Sequence, residues 1–262
     1  MPGNPGSNLA ERTGDHWRPP ALEPDVAGLG RWKGIARRFF DLQAGSVWDA
    51  VASEVASWRG KIVDVGCGAQ PYRSLLPAGT EYVGLDIVEA KEQFGYAAPD
   101  TIYFDGARWP QPARNADFVL CTETLEHVLD PRALLAEAHA CLRPGGRLLL
   151  TVPFAARWHF VPHDYWRFTP SALKHLLEEA GFRDVVARAR GNEVTVACYK
   201  VMALFLPFYL PQGANPAKAW GLRLFAAPAI PLFVALAAAA NLSLRIPGAD
   251  DCLGYTVTAQ RP

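Results

Sequence analysis

Two glycines flank a cysteine at Gly66-Cys67-Gly68, directly after the short apolar run KIVDV at 61–65. A residue without a Cβ lets backbone amides come close to a ligand. About 20 residues further on, the distance at which dinucleotide folds place a ribose-binding acid, Asp86 closes a second run, EYVGLD at 81–86. A carboxylate there accepts hydrogen bonds from both ribose hydroxyls. Asp105 follows a third run, TIYF at 101–104, and Thr122 and Glu123 follow a fourth, ADFVLC at 116–121. The glycines alone are compatible with an ordinary strand–helix turn, but the two acids at these distances point to a nucleoside. The dinucleotide fingerprint Gly-x-Gly-x-x-Gly fails, because Pro71 holds its third glycine position. No pyrophosphate cradle is required, which suits a nucleoside without phosphates.

A second constellation lies further along, in RWHFVPHDYWR at 157–167. Pro153 and Pro162 predict a loop there. His163 beside Asp164 is the expected general base, since an unperturbed imidazole titrates near neutrality. His159 is a second candidate. Trp158, Tyr165 and Arg167 are expected to form the acceptor pocket. Simple anchoring of the loop by its rings, with Asp164 capping a turn, is the alternative. A metal on His159, His163 and Asp164 is set aside, because the proline disfavours helical ligand spacing, and no metal is expected. His127 is read as a helix-packing residue, with a place facing the cofactor cleft as the alternative, Glu126 as a surface or capping charge, and Cys67 and Cys121 as small buried fillers.

These groups need elements to carry them. The apolar β-branched runs predict buried parallel strands at 61–65, 81–86, 101–104, 116–121 and 147–153, with further strands at 184–189 and 253–259. A helix is predicted at 46–59, opened by a capping box of Ser46 and Asp49 and ended by Gly60. Others are predicted around 71–76 and 124–141 and after Thr169-Pro170, and Pro144-Gly145-Gly146 reads as a turn. The alternation gives an α/β fold: a seven-stranded, Rossmann-like, mostly parallel sheet with helices on both faces. Ligands then bind beyond the carboxyl ends of the strands.

VDVGCG (63–68), YVGLDI (82–87), FDG (104–106), ADFVLCTETLEHVLDP (116–131), LRPGGRLLLTVP (142–153) and DYWRFTPSALKHLLEEAGF (164–182) together resemble class I S-adenosylmethionine-dependent methyltransferases, in the branch of bacterial small-molecule and glycan-modifying enzymes. The resemblance covers about residues 46–190 and the last strand. It implies S-adenosyl-L-methionine as cofactor. Asp64, Gly66, Cys67 and Gly68 match the motif that holds its methionine part, and Asp86, followed by Ile87, matches the ribose-binding acid. Asp105 and Gly106 match the pair beside the adenine, and Thr122 and Glu123 match positions near the sulfonium. Gln70 departs from the pattern, standing where many members carry a third glycine.

The chain has 262 residues and balanced charge, 26 Lys+Arg against 26 Asp+Glu. That argues against a nucleic-acid binder with a broad basic field, and no nucleic-acid partner is expected. The five cysteines are widely spaced, with no C-x-x-C, which predicts neither a disulfide framework nor a zinc site and favours the cytoplasm. Residues 1–30 read as a mobile tail, and 31–262 as one catalytic domain. Within it, 191–250 is an apolar insertion, and its uncharged run 224–240 carries Pro228 and Pro231. A lid, a peripheral membrane contact or a homodimer surface through 201–245 are its expected roles. The expected activity is O-methylation of a small metabolite, glycan or lipid-linked acceptor. A non-catalytic partner of the same fold and a nicotinamide-dependent oxidoreductase stay open as alternatives.

Overall fold

The computed structural model describes residues 19–20, 22, 24, 29–95, 97–211, 213–248 and 250–262. Seven strands form one sheet in the order β3-β2-β1-β4-β5-β7-β6. They are β1 (Lys61–Val65), β2 (Glu81–Ile87), β3 (Thr101–Phe104), β4 (Ala116–Thr122), β5 (Leu142–Pro153), β6 (Arg183–Arg190) and β7 (Gly254–Gln260). β1 to β5 pair in parallel, whereas β7 runs antiparallel to both neighbours and sets Arg190 opposite Gly254. The predicted sheet is therefore present.

The central strands β1 and β4 are buried along nearly their whole length because both sides of the sheet are covered there. On one side, helix α2 (Leu42–Val55) lays Val47, Val51 and Val55 on Ile62, Leu120 and Leu149. Trp58 stacks on Phe118 there, with ring centres 4.3 Å apart. On the other side, α4 (Pro131–Cys141) and α5 (Pro170–Glu179) bring Leu135, Ala138, Leu173 and Leu177 onto Val119, Leu148 and Leu150. Helix α1 (Leu29–Phe40) precedes α2, and the short α3 (Ala90–Phe94) follows β2.

Several local expectations are corrected. α2 begins four residues before Ser46, with Asp41 as its N-cap accepting from the Ala44 amide. Ser46 is instead a buried mid-helix residue bonded back to the Gln43 carbonyl, and the helix ends at Val55, before Gly60. The segment 71–76 holds only a 3-10 turn, Arg73–Leu75. Residues 144–146 lie inside β5 instead of forming a turn before it. The single helix expected over 124–141 is two elements. Leu125–His127 is a 3-10 turn, and α4 starts anew at Pro131 with Asp130 as its cap. A capping aspartate before an N1 proline is a strong start signal, and it outweighs the apolar periodicity upstream.

The insertion is helical: α6 (Glu193–Tyr209), α7 (Pro216–Ala226), a 3-10 turn at Ala227–Ala229, and α8 (Ile230–Ser243). Asn192 caps α6 with a full capping box, and its amide donates to the Ser243 carbonyl, tying α6 to the end of α8. Ala237 and Ala240 of α8 pack with Leu42, Val196, Met202 and Leu253. Of the expected tail, residues 1–18, 21, 23 and 25–28 lie outside the described residues. Leu22 packs near the α2 cluster, and the Arg37 guanidinium bonds the Pro20 carbonyl.

Candidate active site

A cavity of about 1000 Å³ opens over the carboxyl ends of β1 to β5. At one end, Gly66 and Gly68 lie in the left-handed region, at φ +67° and +52°. A Cβ on Gly66 would sit 2.3 Å from Thr124 Oγ1, so only glycine leaves this floor open. The Gly68 and Ile87 amides donate to the two Asp86 carboxylate oxygens, each at 2.9 Å. Burial pushes the Asp86 carboxyl up, and these two donors oppose the rise. The acid is thereby fixed facing the cavity with lone pairs left for a ligand.

Gln70 explains the missing third glycine. It adopts φ +57° itself, a conformation that costs an L-residue about 1–2 kcal/mol. Its buried side-chain amide donates to Asp100 and Thr101 at 3.2 and 3.1 Å and accepts from Arg73 at 2.8 Å. These bonds pin the loop to the start of β3 and offset the strain.

Gly66, Cys67, Gly68, Asp86, Ile87, Asp105, Gly106, Thr122 and Glu123 all line the cavity, so the strand-end set converges. Asp105 sits exposed at the rim, accepting from the Ala107 amide. Glu123, at φ +47°, turns its carboxylate to Arg190 Nη2 at 2.7 Å. Asp64 does not line the cavity. It is buried under the loop, where Tyr82 Oη donates to it at 2.8 Å and its other oxygen has no partner. Burial pushes its pKa up to about 7.

The far end differs from expectation. His163 is not a lining residue; its backbone carbonyl accepts from His127 Nδ1 at 2.6 Å, and its own ring meets Tyr165 Oη at 3.4 Å. Trp158 and Tyr165 are exposed and also off the cavity. The cause is the backbone: the Tyr165 and Trp166 amides both donate to the Glu126 carbonyl, which turns these rings outward. Asp164 and Arg167 sit behind the wall as a bidentate pair at 2.6 and 2.8 Å. The Arg167 and His159 bonds outweigh burial and hold the Asp164 carboxyl well below the usual carboxylate range.

His159 does line the cavity. Its Nδ1 lies 3.0 Å from Asp164 Oδ2 and 2.9 Å from the Arg157 carbonyl, leaving Nε2 free of those bonds. His127 lines it too, with its ring centre 4.9 Å from that of His159. Burial first, then the neighbouring His159, lowers the His127 pKa to about 4, so its ring is neutral at pH 7. Glu126 is fully buried, and neither carboxylate oxygen has a hydrogen-bond partner. Burial, with Glu123 nearby, raises its pKa well above the ordinary value. The reading of Glu126 as a surface or capping charge is thus overturned, and of the two readings of His127 the structure favours the one that faces the cleft. The signal was present in Asp130-Pro131, which starts a helix and leaves 123–130 as a loop beside the cleft.

Comparison with known proteins agrees with this geometry. The sequence model of a methyltransferase domain matches residues 38–187, more than half of the chain. A ubiquinone biosynthesis O-methyltransferase of Idiomarina loihiensis is 28% identical over 152 residues, 48% of this chain and 62% of that protein. A tRNA U34 carboxymethyltransferase of Alteromonas mediterranea is 30% identical over 165 residues, 53% and 49% of the two chains. The chain therefore spans less than two thirds of the length of these curated relatives. The second of them leaves the expectation of no nucleic-acid partner without support. A solved S-adenosylmethionine-dependent methyltransferase from Archaeoglobus fulgidus shares the fold, with a TM-score of 0.50 and 18% identity over 88% of this chain and 99% of that one. Since the family match runs unbroken from α1 into β6, across every strand end that faces the cavity, the chain belongs to the class I, S-adenosylmethionine-dependent methyltransferases.

Proposed function

We propose that the chain methylates an oxygen of an apolar, small or lipid-linked acceptor that it meets at a membrane surface. The observation that carries this reading is the continuity of apolar surface from the cavity to the outside of the insertion. Phe40, Leu206, Leu210, Ile230, Phe233 and Val234 line the cavity on its helical side. Leu232 and Leu242 stand exposed on α8, and Trp220, Leu224 and Phe225 on α7 beside it. The segment Pro216–Ser243 is long and apolar enough to cross a membrane by length and composition, and only 11% of its apolar 18-residue window is buried. α8 is tied to the body through Ala237 and Ala240, and a 3-10 turn interrupts the segment at Ala227–Ala229. Lying on a bilayer suits both facts better than spanning it. The name of the O-methyltransferase relative supports oxygen as the acceptor atom.

The cradle fits the cofactor: an open glycine floor, then a fixed acid, then a polar rim. In this reading the Gly66–Gly68 turn, with no Cβ at either glycine, lets the methionine part lie against the backbone beside Glu123, Asp86 takes the ribose hydroxyls, and Asp105 with Gly106 borders the adenine. When bound, S-adenosylmethionine supplies a methyl group on a positively charged sulfur. The protein's own contribution is placement and exclusion of water. Holding acceptor and donor in line is worth up to about 7–11 kcal/mol in favourable cases. The acceptor hydroxyl would meet the rings of His127 and His159, which line the far end of the cavity with the Glu126 carboxylate buried behind them.

The test is transfer of labelled methyl from S-adenosylmethionine to phenols, with and without an alkyl chain, in vesicles and in solution, with tRNA as a separate arm. Labelling that favours the vesicle-borne alkyl phenol is expected. Labelling confined to soluble phenols or to tRNA overturns the acceptor class. Failure of the protein to bind S-adenosylhomocysteine overturns the activity itself. A dimer in solution that hides Phe225 from vesicles overturns the membrane contact.

A further inference from the structure

We infer that Glu126, His127 and His159 form a binding site for one divalent transition-metal cation at the acceptor end of the cavity. One ligand atom from each lies within 4.8 Å of the other two. His127 Nε2 and Glu126 Oε1 are 3.6 Å apart. Ligands at about 2.1 Å around a tetrahedral ion stand about 3.4 Å from one another. The His159 ligand atom, within 4.8 Å of the other two, has to close by no more than about 1.4 Å.

Two further observations point to an ion. First, the Glu126 carboxylate is fully buried at this spot and both of its oxygens lack hydrogen-bond partners. A buried carboxylate without a partner is costly, and a cation removes the cost. Second, each histidine has its other ring nitrogen already engaged behind the cluster. His127 Nδ1 meets the His163 carbonyl at 2.6 Å, and His159 Nδ1 meets Asp164 Oδ2 at 3.0 Å. Metal-binding histidines show this arrangement, which fixes the tautomer and aims the free nitrogen at the ion. Asp164 is in turn clamped by Arg167. The loop expected to supply a base thus supplies the outer support of a ligand.

Two imidazoles and one carboxylate favour Zn²⁺, Mn²⁺, Fe²⁺ or Co²⁺ over Mg²⁺ or Ca²⁺. Three protein ligands leave a coordination position open toward the cavity, the arrangement of catalytic sites. On the proposed reading of the function, that position takes the acceptor hydroxyl. Its O–H bond breaks on coordination, the proton passes to water, and the electron pair stays on the oxygen as a nucleophile. The role of the cation rests on that reading; its binding does not.

Titration of the full-length, metal-free protein with Co²⁺ alone, followed by its visible d–d absorption, tests the site. One Co²⁺ per chain with intense low-symmetry bands, displaced by one Zn²⁺, is expected. Glu126→Gln and His159→Asn should each weaken binding at least about tenfold, and Asp164→Asn by about 10–100-fold. Thermal melts establish that each variant is folded, and S-adenosylhomocysteine titrations run alongside. Wild-type protein that gives only the weak spectrum of hydrated Co²⁺ overturns the site without recourse to any variant. Co²⁺ affinity unchanged in both folded ligand variants also overturns it. Cofactor binding without metal binding removes this proposal alone, and metal binding without cofactor binding removes only the methyl-transfer reading.

Discussion

At one end of the cavity, Gly66, Asp86 and Asp105 hang directly on the ends of β1, β2 and β3, within a residue or two of the last strand hydrogen bond. At the other end, Glu126, His127 and His159 come from two separate loops and meet because the Glu126 and His163 carbonyls bind those loops to each other. The first end is positioned by the sheet, and the second by side chains and loop backbone. The comparison teaches where the chain can vary. A site built on strand ends shares the rigidity of the core, whereas a site built between loops depends on a few polar contacts that one substitution can release.

The comparison can be broken in order of expected effect. Asp86→Ala removes both the proposed ribose contacts and the acceptor for the Gly68 and Ile87 amides. S-adenosylhomocysteine affinity should fall over a hundredfold, about 3 kcal/mol for two charge-assisted hydrogen bonds, as read by calorimetry. An affinity within threefold of wild type would show that the strand-end acid does not carry the nucleoside. Asp164→Asn leaves Arg167 with half its partner and His159 without its anchor. A loss of about 2 kcal/mol in urea unfolding is expected, with cofactor affinity unchanged. Equal damage to both ends would mean that they are coupled.

Phe225→Glu on the outer face of α7 should weaken vesicle co-sedimentation about tenfold, the scale of one buried aromatic side chain. Its melting temperature should not change, because Phe225 is exposed. A pH slope is a further expectation. Burial holds the Asp64 proton up to about pH 7, while the unfolded chain releases it near pH 4. Between those values the folded state binds more protons, so stability falls as pH rises, by up to about 1.4 kcal/mol per pH unit, and levels off above pH 7. Asp64→Asn should flatten that slope. A slope that persists in the variant assigns it to other groups.

The sequence made the first end readable for the same reason that it is rigid. Strand, turn and acid are local, and Asp86 reports its role by its distance from Gly66. The second end depends on contacts between residues far apart in the chain, such as His127 with His163 and Glu126 with Tyr165 and Trp166. No period or spacing encodes them. Of the two histidines expected as bases, the structure brings His159 to the cavity wall and leaves the His163 ring off it, because the backbone orients that loop. Gln70 shows the converse: a motif position that looks broken is repaired by three side-chain bonds that no alignment of letters displays.

The antiparallel direction of β7 has one more consequence. The chain leaves the sheet at Arg190 and re-enters it at Gly254, and these two residues are ladder partners. Everything between them is therefore an excursion closed at its base, on the edge of the sheet where the cavity opens. Lengthening such an excursion costs only about 0.6 kcal/mol per doubling and shifts no strand register. The helices α6 to α8 thus behave as a cassette. A related enzyme could exchange them for another cover, and with it another class of acceptor, while inheriting the cofactor half untouched.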